Sequence, residues 1–180
     1  MHIPQKKIAV YIDGSNLYFK LKSLGIKNLS RFNYRKFIQY LAINKRIIYA
    51  GYYIGLVRAK DNDAKGQRLR KAQINLLNYL RSKTQLFTIR KGYLMENEGV
   101  YHEKGVDVQI AVDLLVGAYE NLYDTAIVIS SDTDLMPAMS KVKAQGKAVE
   151  YIGFGHEPSL AMQTCATISR LLIKEELKNF

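Results

Sequence analysis

Short apolar runs alternate with longer amphipathic stretches along this chain, and the alternation predicts strands that are each followed by a helix. The predicted strands are rich in β-branched and aromatic residues and lie at Ile8–Ile12, Ile47–Ile54, Leu86–Leu94, Ala126–Ser130 and Ala148–Ile152. The predicted helices lie near Ser15–Leu24, Tyr34–Asn44, Ala64–Ser82, Val106–Tyr119, Leu135–Gln145 and Ser169–Asn179. This order is typical of an α/β fold with a mainly parallel sheet of about five strands and helices on both faces.

The first and fourth predicted strands are almost continuously apolar, which favours central positions covered by helices on both sides. Ligands of open parallel sheets gather outside the carboxyl ends of the strands, near the point where the strand order reverses. If these two strands are neighbours, the side chains that follow them meet in one crevice. Gly146, after the fifth predicted helix, suits a left-handed helix stop.

The size and composition of the chain are those of one compact domain, expected to span residues 1–180. Of its 180 residues 48% are hydrophobic, and the single cysteine, Cys165, excludes an intrachain disulfide and a cysteine-based zinc cluster. The apolar runs are shorter than the roughly 18 residues of a membrane-spanning helix. We therefore expect a cytoplasmic protein that does not bind membranes.

The net charge of +11 is unevenly distributed along the chain. Residues 1–57 carry +9 and residues 58–91 carry +8, whereas residues 92–135 hold nine of the sixteen acidic residues and one base. Ordinary solvation of helices explains part of the basic excess. The asymmetry favours a polyanion-binding surface beside a separate acidic centre.

Four aspartates stand where strands or loops lead into helices. Asp13 ends the first predicted strand, Asp132 and Asp134 follow the fourth, and Asp107 opens a helix just after Lys104. Gathered together, these carboxylates would concentrate more negative charge than they can keep ionised without a counter-ion. A hard divalent cation with oxygen ligands, Mg²⁺ or Mn²⁺, is the natural choice. The four aspartates are therefore candidate metal ligands and catalytic residues.

The segment from Asp13 to Asn16 also has a purely structural explanation. Gly14 would give a strand-to-helix turn its freedom, and Ser15 or Asn16 would cap the helix. A charged Asp13 at the end of a central strand is poorly explained in this way. Asn16 could cap, orient a carboxylate or bind a phosphate oxygen of a substrate.

Two explanations also fit the segment that follows the fourth predicted strand. Asp and Thr are good helix caps, and acidic residues suit the first turn of a helix. One acid would be enough for that purpose. Asp132 and Asp134, interleaved with Ser131 and Thr133, are more typical of metal ligands combined with hydroxyl donors for a phosphate.

Asp113 lies six residues after Asp107, which is about 120° around a helix, so the two side chains do not share one face closely. We expect Asp107 at the site, while Asp113 either supports it from behind or faces solvent. Lys104 either steadies an acidic neighbour, contacts a substrate phosphate or is simply solvated.

A basic stretch precedes the third predicted helix and continues along it. Its members are Arg58, Lys60, Lys65, Arg68, Arg70 and Lys71, and it is extended by Arg81, Lys83, Arg90 and Lys91. Such a stretch is usually a solvated helix face. Arg58 and Arg68 are the candidates for contacts with substrate phosphates. Tyr52, Tyr53 and Tyr93 could stack on bases but are better explained by packing, so no base contact is assigned.

Several other chemistries do not fit the sequence. It has no Gly-x-x-x-x-Gly-Lys-Ser/Thr phosphate loop, and Pro158 occupies the third glycine position of a dinucleotide fingerprint beginning at Gly153. Tyr11 stands where an aspartyl-phosphate phosphatase needs its second acid. The three histidines lack metal-ligand spacing.

Three segments, VYIDGSN, KGVDVQIAVDLL and VISSDTDLMPAM, resemble in this order the NYN domain of the PIN-like nuclease superfamily, in its LabA-like bacterial branch. The resemblance covers nearly the whole chain and implies a three-layer α/β/α Rossmann-like sandwich. It implies that the metal-binding acids of the family are Asp13, Asp107, Asp132 and Asp134. It also implies that Asn16 is their polar partner. The late segment, which usually ends near an acid in such proteins, reads CATI here.

From the residues and the resemblance together we expect a divalent-metal-dependent nuclease acting on single-stranded RNA, with DNA also chemically possible. Water rather than a ribose 2′-oxygen is expected to attack, leaving 3′-hydroxyl and 5′-phosphate ends. Two other classes stay open: a non-catalytic RNA- or nucleotide-binding regulatory module that keeps the acids for structure, and a metal-dependent hydrolase of small phosphoesters. An exposed sheet edge near Leu86–Leu94 would allow a homodimer.

Overall fold

The computed structural model of the chain describes residues 5–26, 29, 32–43, 45–97 and 100–180, and for residues 93–97 and 100–104 it describes the backbone alone. The strands in these residues are β1 Lys7–Asp13, β2 Arg46–Ile54, β3 Thr88–Lys91, β4 Tyr93–Asn97, β5 Val100–Lys104, β6 Thr125–Ile129, β7 Ala148–Phe154 and β8 Ile168–Leu172. The helices are α1 Gly14–Ser23, α2 Tyr34–Ala42, α3 Ala64–Arg81, α4 Val106–Tyr119, α5 Met136–Ala144, α6 Leu160–Cys165 and α7 Lys174–Leu177. A 3₁₀ turn at Thr133–Leu135 leads into α5.

Six of the strands form one parallel sheet in the order β3-β2-β1-β6-β7-β8. The chain moves outward from β1 to β2 and β3, then returns to the other side of β1 and moves outward again through β6, β7 and β8. The strand order therefore reverses between β1 and β6, the two central strands. β4 and β5 pair with each other as an antiparallel hairpin.

The alternation of side chains along β1 divides the core between the two faces of the sheet. Ile8, Val10 and Ile12 are buried on one face, together with side chains of α1, α2 and α3. Ala9 and Tyr11 are buried on the other face, together with side chains of α4, α5 and α6. The expected α/β fold with helices on both faces is therefore confirmed, with six strands in the sheet rather than about five.

A layer of tyrosines lies between the sheet and α4. The ring of Tyr11 contacts those of Tyr49, Tyr53 and Tyr123, with centroids 5.5 to 6.2 Å apart. The hydroxyls of Tyr11 and Tyr123 donate to backbone carbonyls of α4 at 3.3 and 2.6 Å. Gly117 of α4 makes room for this layer, because a Cβ there would lie 2.6 Å from the ring of Tyr123. Polar contacts to its backbone therefore help to seat α4 on the sheet.

Four helices, α1, α2, α3 and α6, begin at a polar residue whose side chain accepts a hydrogen bond from the backbone of the first helical turn. These residues are Asp13, Asn33, Asp63 and Ser159. The cap of α1 is therefore Asp13 itself, and the expectation of a cap at Ser15 or Asn16 is wrong. Gly146 follows α5 with a φ of 75°, which confirms the predicted left-handed stop.

Two predicted elements differ from the structure. The predicted strand Leu86–Leu94 starts too early because Leu86 has a positive φ of 59°, and it ends too late because β4 leaves the main sheet. The predicted helix Ser169–Asn179 is instead β8 followed by the short α7. The apolar residues of β8 fit helical spacing as well as strand spacing, and pairing with β7 over Glu150–Phe154 decides between them. The β4–β5 hairpin and α6 were not predicted.

Candidate active site

The reversal of strand order between β1 and β6 brings two sets of polar side chains to one edge of the sheet. The two strands are parallel, and Ile12 pairs with Ile129 at their carboxyl ends. Asp13 comes next on β1, and a serine pair and Asp132 follow β6. The expectation that these two strands are neighbours is therefore confirmed, and their carboxyl ends meet at the kind of point where ligands bind in open parallel sheets.

Asp13 is the most buried of the four aspartates, with 7% of its surface exposed. Its Oδ1 accepts a hydrogen bond from the backbone N–H of Asn16 at 2.9 Å, and its Oδ2 accepts one from Oγ of Ser130 at 3.0 Å. The same Oγ accepts from the backbone N–H of Asp132 at 3.1 Å. A chain of hydrogen bonds therefore joins the carboxylate at the end of β1 to the loop after β6.

Burial and mutual repulsion govern the protonation of these acids. Burial raises the pKa of Asp13, and the charge of Asp132 raises it further, while hydrogen bonds from Asn16 and Ser130 oppose the shift. Burial also raises the pKa of Asp107, and the charges of Asp132, Asp13 and Asp134 add to the effect. Asp107 lies in the first turn of α4. The four predicted aspartates therefore interact electrostatically, although they come from three parts of the chain.

The carboxylates lie near one another without forming a closed cage. Among the residues that the structure describes, no group of three or more His, Cys, Asp or Glu side chains is arranged closely enough to hold a metal ion. Asp132 is half-buried and Asp134 is exposed. That these acids are metal ligands stays a prediction.

Two observations show that the chemistry of this edge suits a cation. The ion pairs within the described part of the chain, Lys20–Glu157, Arg90–Asp113 and Arg170–Glu176, do not involve the four aspartates. Oδ1 of Asn16 is one of three buried side-chain polar atoms that find no hydrogen-bond partner there. Carboxylate and amide oxygens are the ligands preferred by Mg²⁺ and Mn²⁺. The residues present therefore fit a hard divalent ion.

The segment after β6 supports the capping explanation as well. Oδ1 of Asp132 accepts from the backbone N–H of Asp134 at 2.9 Å and so caps the 3₁₀ turn. Thr133 and Asp134 are exposed in that turn, and Ser131 is half-buried. Capping uses one oxygen of Asp132, which leaves the other available to a ligand. The two explanations of this segment are therefore compatible.

Ser130 belongs to the site, although the sequence analysis selected Ser131 instead. Ser130 is 2% exposed and joins Asp13 to Asp132. The alternation along β6 could have identified it. Ala126 and Val128 are buried on the α4 face, and Ser130 is the next residue of that face. A hydroxyl on a buried face at the carboxyl end of a central strand was the available signal.

Asp113 does not face solvent. Its Oδ2 accepts from the hydroxyl of Tyr53 at 2.7 Å and lies 3.2 Å from Nε of Arg90, while its Oδ1 accepts from Nε2 of Gln109 at 2.8 Å. These contacts hold the acid against β2 and β3. Of the two explanations offered for Asp113, the solvent-facing one is therefore wrong.

The three tyrosines and the lysine that the sequence offered as substrate contacts differ in what the structure shows of them. Tyr52 and Tyr53 are buried, which confirms that they pack inside the protein and do not stack on bases. The side chains of Tyr93 and Lys104 lie outside the described residues, so the proposed phosphate contact of Lys104 stays a prediction.

The basic residues predicted to contact phosphates begin at the same edge of the sheet as Asp13. The loop after β2 carries Arg58 and Lys60, which with Arg70 line an open groove of about 750 Å³. Two acidic residues of that loop also line the groove. Since β2 is the neighbour of β1, the loop leaves the edge one strand away from Asp13. Arg68 is exposed on α3, which follows this loop.

Gly14 is required by close packing and not by its conformational freedom. A Cβ at this position would lie 2.7 Å from Cζ of Tyr52 and 2.8 Å from the backbone carbonyl oxygen of Tyr53. The φ of Gly14 is not in the positive range, unlike those of Gly105 and Gly146. The start of α1 can therefore press against β2 only without a side chain here.

Replacing Gly14 should consequently destabilise the protein. We expect Gly14→Ala to lower the free energy of unfolding by about 1–3 kcal/mol, the usual cost of overpacking. Gly155→Ala is the matched control, because its new Cβ would come no closer than 3.6 Å to its neighbours. Urea denaturation of both variants checks the expectation. Equal stability of the two variants would contradict it.

Carboxylates at the reversal of strand order of a six-stranded parallel sheet define an α/β protein with a ligand site at that edge. The model of the NYN domain family matches residues 7–172, and the chain belongs to this family, within the PIN-like superfamily. This match confirms the resemblance of the three sequence segments to the NYN domain.

A solved structure has the same fold. The crystal structure of a protein of unknown function from Vibrio parahaemolyticus is similar to this chain with a TM-score of 0.64 and 20% sequence identity, covering 96% of each chain. At that identity the likeness concerns the fold alone. A comparison with curated proteins finds no match. Among the helices that the structure describes, none is long and apolar enough to cross a membrane.

Proposed function

We propose that this protein is a divalent-metal-dependent nuclease that hydrolyses phosphodiester bonds, with single-stranded RNA as its substrate. The observation that carries the proposal is the meeting of Asp13 and Asp132 at the reversal of strand order, joined through Ser130 by hydrogen bonds, with Asp107 in the first turn of the helix that packs on β1 and the 3₁₀ turn. Membership of the NYN domain family, with its nuclease-like fold, supports it.

The four aspartates, with Asn16 beside them, are the residues that would hold Mg²⁺ or Mn²⁺. A divalent ion bound there supplies Lewis-acid polarisation of the scissile phosphate and a lowered pKa for the attacking water. Ser130 orients the carboxylate of Asp13 by donating to its Oδ2, and the N–H of Asn16 orders its Oδ1. Both contacts favour the ionised carboxylate that a cation requires.

The reaction itself is a hydrolysis. Oxygen of water forms the new bond to phosphorus, the bond from phosphorus to the 3′-oxygen breaks, and that oxygen leaves as a hydroxyl. The products are a 3′-hydroxyl and a 5′-phosphate end. Thr133, which is exposed, and Ser131, which is half-buried, are proposed as hydroxyl donors to phosphate oxygens beside Asp132. Because no ribose 2′-oxygen takes part, DNA cleavage is chemically allowed.

The charge distribution favours a polymeric substrate over a small phosphoester. Arg58, Lys60 and Arg70 line the groove one strand from Asp13, and Arg68 continues the positive surface along α3. A small phosphoester would occupy the acidic site alone and would gain little from cations spread along a helix. A single strand can contact both. Lys104, just before Asp107 in the chain, is proposed as a further phosphate contact.

Metal dependence is the direct test of the proposal. With Mn²⁺ present, the protein should cleave 5′-labelled single-stranded RNA, and EDTA should abolish cleavage. Asp132→Asn should lower the rate by at least about 100-fold, as the loss of a key electrostatic group does in other enzymes. Glu175→Gln, at an exposed acid of α7, is the control and should leave the rate unchanged. Full activity of Asp132→Asn would refute the proposed role of the acids.

A second candidate function is supported by the capping contacts. Asp13 caps α1 and Asp132 caps the 3₁₀ turn, so both acids would have a structural role even in a protein that cleaves nothing. The protein would then be a non-catalytic module that binds RNA or a nucleotide and regulates another protein. Tight RNA binding that is unaffected by EDTA, without cleavage in Mg²⁺ or Mn²⁺, would favour this candidate.

A further inference from the structure

We propose that the hydrogen bond from Tyr53 to Asp113 sets the position of Asp107 in the acidic site, so that Tyr53 and Asp113 act as positioning residues. This inference rests on the proposed function, because it assigns Asp107 to the site that holds the ion. It concerns residues that touch neither the ion nor the substrate.

Tyr53 lies directly beside Asp13 in the sheet. The two residues are register partners of the parallel strands β1 and β2. The side chain of Tyr53 is completely buried on the α4 face, and its hydroxyl donates to Oδ2 of Asp113 at 2.7 Å. One strand neighbour of Asp13 is thereby tied to the helix that carries Asp107.

Asp113 is tied to two strands outside its own helix. Beyond the bond from Tyr53 of β2, its Oδ2 pairs with Nε of Arg90 in β3 at 3.2 Å, and its Oδ1 accepts from Gln109 of α4 at 2.8 Å. Its side chain is 17% exposed. The contacts of Oδ2 tie this mostly buried carboxylate to β2 and β3, and they therefore resist rotation of α4 about its own axis.

The helix transmits this restraint to the acidic site. Asp107 lies six residues before Asp113 in the same helix, about 9 Å along its axis at the rise of an α-helix. Rotation of α4 would turn Asp107, in its first turn, away from β1 and the 3₁₀ turn that this helix packs against. The contacts that prevent rotation of α4 at Asp113 therefore also fix the direction in which the side chain of Asp107 points.

Simple anchoring of the helix does not require this network. α4 already buries Ile110 and Leu114, and its backbone accepts hydrogen bonds from the hydroxyls of Tyr11 and Tyr123. Burying the charge of Asp113 beneath the helix costs desolvation free energy, which its partners offset only if their hydrogen bonds have good geometry. Apolar residues at these positions would stabilise the packing of the helix at least as well. What an ionic network adds is a defined orientation.

Tyr53→Phe and Tyr123→Phe form a matched pair of variants. Comparing them separates an effect on the orientation of α4 from an effect on the stability of the protein. Each removes one buried hydroxyl that binds α4, but Tyr53 binds the Asp113 carboxylate and Tyr123 binds the backbone carbonyl of Leu114. We expect Tyr53→Phe to weaken Mn²⁺ binding about tenfold, as the loss of supporting contacts does at other metal sites. Tyr123→Phe should stay within about twofold of the wild type. Calorimetric titration with Mn²⁺ alone measures both without any turnover.

A second pair of variants tests the same contact from the other side. Asp113→Asn keeps an oxygen for Tyr53, and Gln109 can flip its amide to satisfy the new NH₂ group, so most of the Mn²⁺ affinity should be recovered. Asp113→Leu removes the acceptor and should weaken Mn²⁺ binding about tenfold or more. Circular dichroism would reveal whether Tyr53→Phe folds. If it does not, the two Asp113 variants still test whether the contact between Tyr53 and Asp113 positions Asp107.

The possible outcomes separate this inference from the nuclease proposal. Equal Mn²⁺ affinity of Tyr53→Phe and Tyr123→Phe, or of Asp113→Asn and Asp113→Leu, overturns the positioning role while leaving the nuclease proposal intact. Weakened Mn²⁺ binding by Tyr53→Phe in a protein that cleaves no RNA supports the positioning role and overturns the nuclease proposal. A wild-type protein that binds no Mn²⁺ overturns both.

Discussion

Asp13→Asn should lower RNA cleavage in Mn²⁺ by at least about 100-fold while leaving the protein at least as stable at neutral pH. The activity is lost because the amide cannot supply the negative charge that a divalent ion requires. Stability is retained because Asn is as good an N-cap as Asp, and its Oδ1 can still accept from the N–H of Asn16. Cleavage assays check the expected loss of activity, and urea denaturation in EDTA at pH 7 checks the expected stability.

The pH dependence of stability follows from the same residue. Burial raises the pKa of Asp13 in the folded protein, so the folded state binds the proton more tightly than the unfolded chain does. Stability in EDTA should therefore fall as the pH rises from the ordinary pKa of aspartate through the raised one, and the penalty should persist above that window. Asp13→Asn should remove this part of the pH dependence. A large loss of stability at pH 7 in the variant would show that the charge itself is needed for folding.

The affinity for single-stranded RNA should fall steeply with salt, and the inactive Asp13→Asn variant allows this to be measured without turnover. Each phosphate contact contributes about 0.7 to the slope of log affinity against log salt, so four contacts imply a loss of about 50-fold between about 50 and 200 mM. Fluorescence anisotropy with a labelled oligonucleotide over this range gives the slope. A slope near zero would exclude the basic surface as the binding site.

Substitutions at two arginines test where on the protein single-stranded RNA binds. Arg68→Gln, on α3 beyond the groove, should reduce the slope by about 0.7. Arg46→Gln removes the same charge from the start of β2, at the opposite edge of the sheet from Asp13, and should leave the slope unchanged. Equal effects of both variants would indicate attraction by net charge alone, without a defined path.

The central part of the site could be predicted because it depends on the strongest local patterns. Two nearly continuous apolar runs indicated buried central strands, and parallel central strands must end at the same edge. Asp13 and Asp132 therefore had to come together once β1 and β6 were neighbours. Asp107 was expected from its place at the start of the predicted helix Val106–Tyr119, and the structure has α4 with these bounds.

The parts that could not be predicted depend on contacts between distant segments. β8 carries apolar residues that suit a helix equally well, and only its pairing with β7 makes it a strand. The partners of Asp113 come from β2 and β3, which lie 60 and 23 residues away in the chain. Helical periodicity placed Asp113 off the face of Asp107 but contains no information about what that side of α4 meets.

The tyrosine layer beneath α4 is an intrinsic fluorescence probe of the position of this helix. The chain has thirteen tyrosines and no tryptophan, so its ultraviolet emission comes from phenol rings alone. Tyr11, Tyr49, Tyr53 and Tyr123 lie close enough to exchange excitation energy, and the hydroxyl of Tyr53 ends on a carboxylate, a group that quenches phenol emission. Any movement of the helix that carries Asp107 should therefore change the intensity and polarisation of the intrinsic fluorescence, which makes cation-induced motion observable without a label.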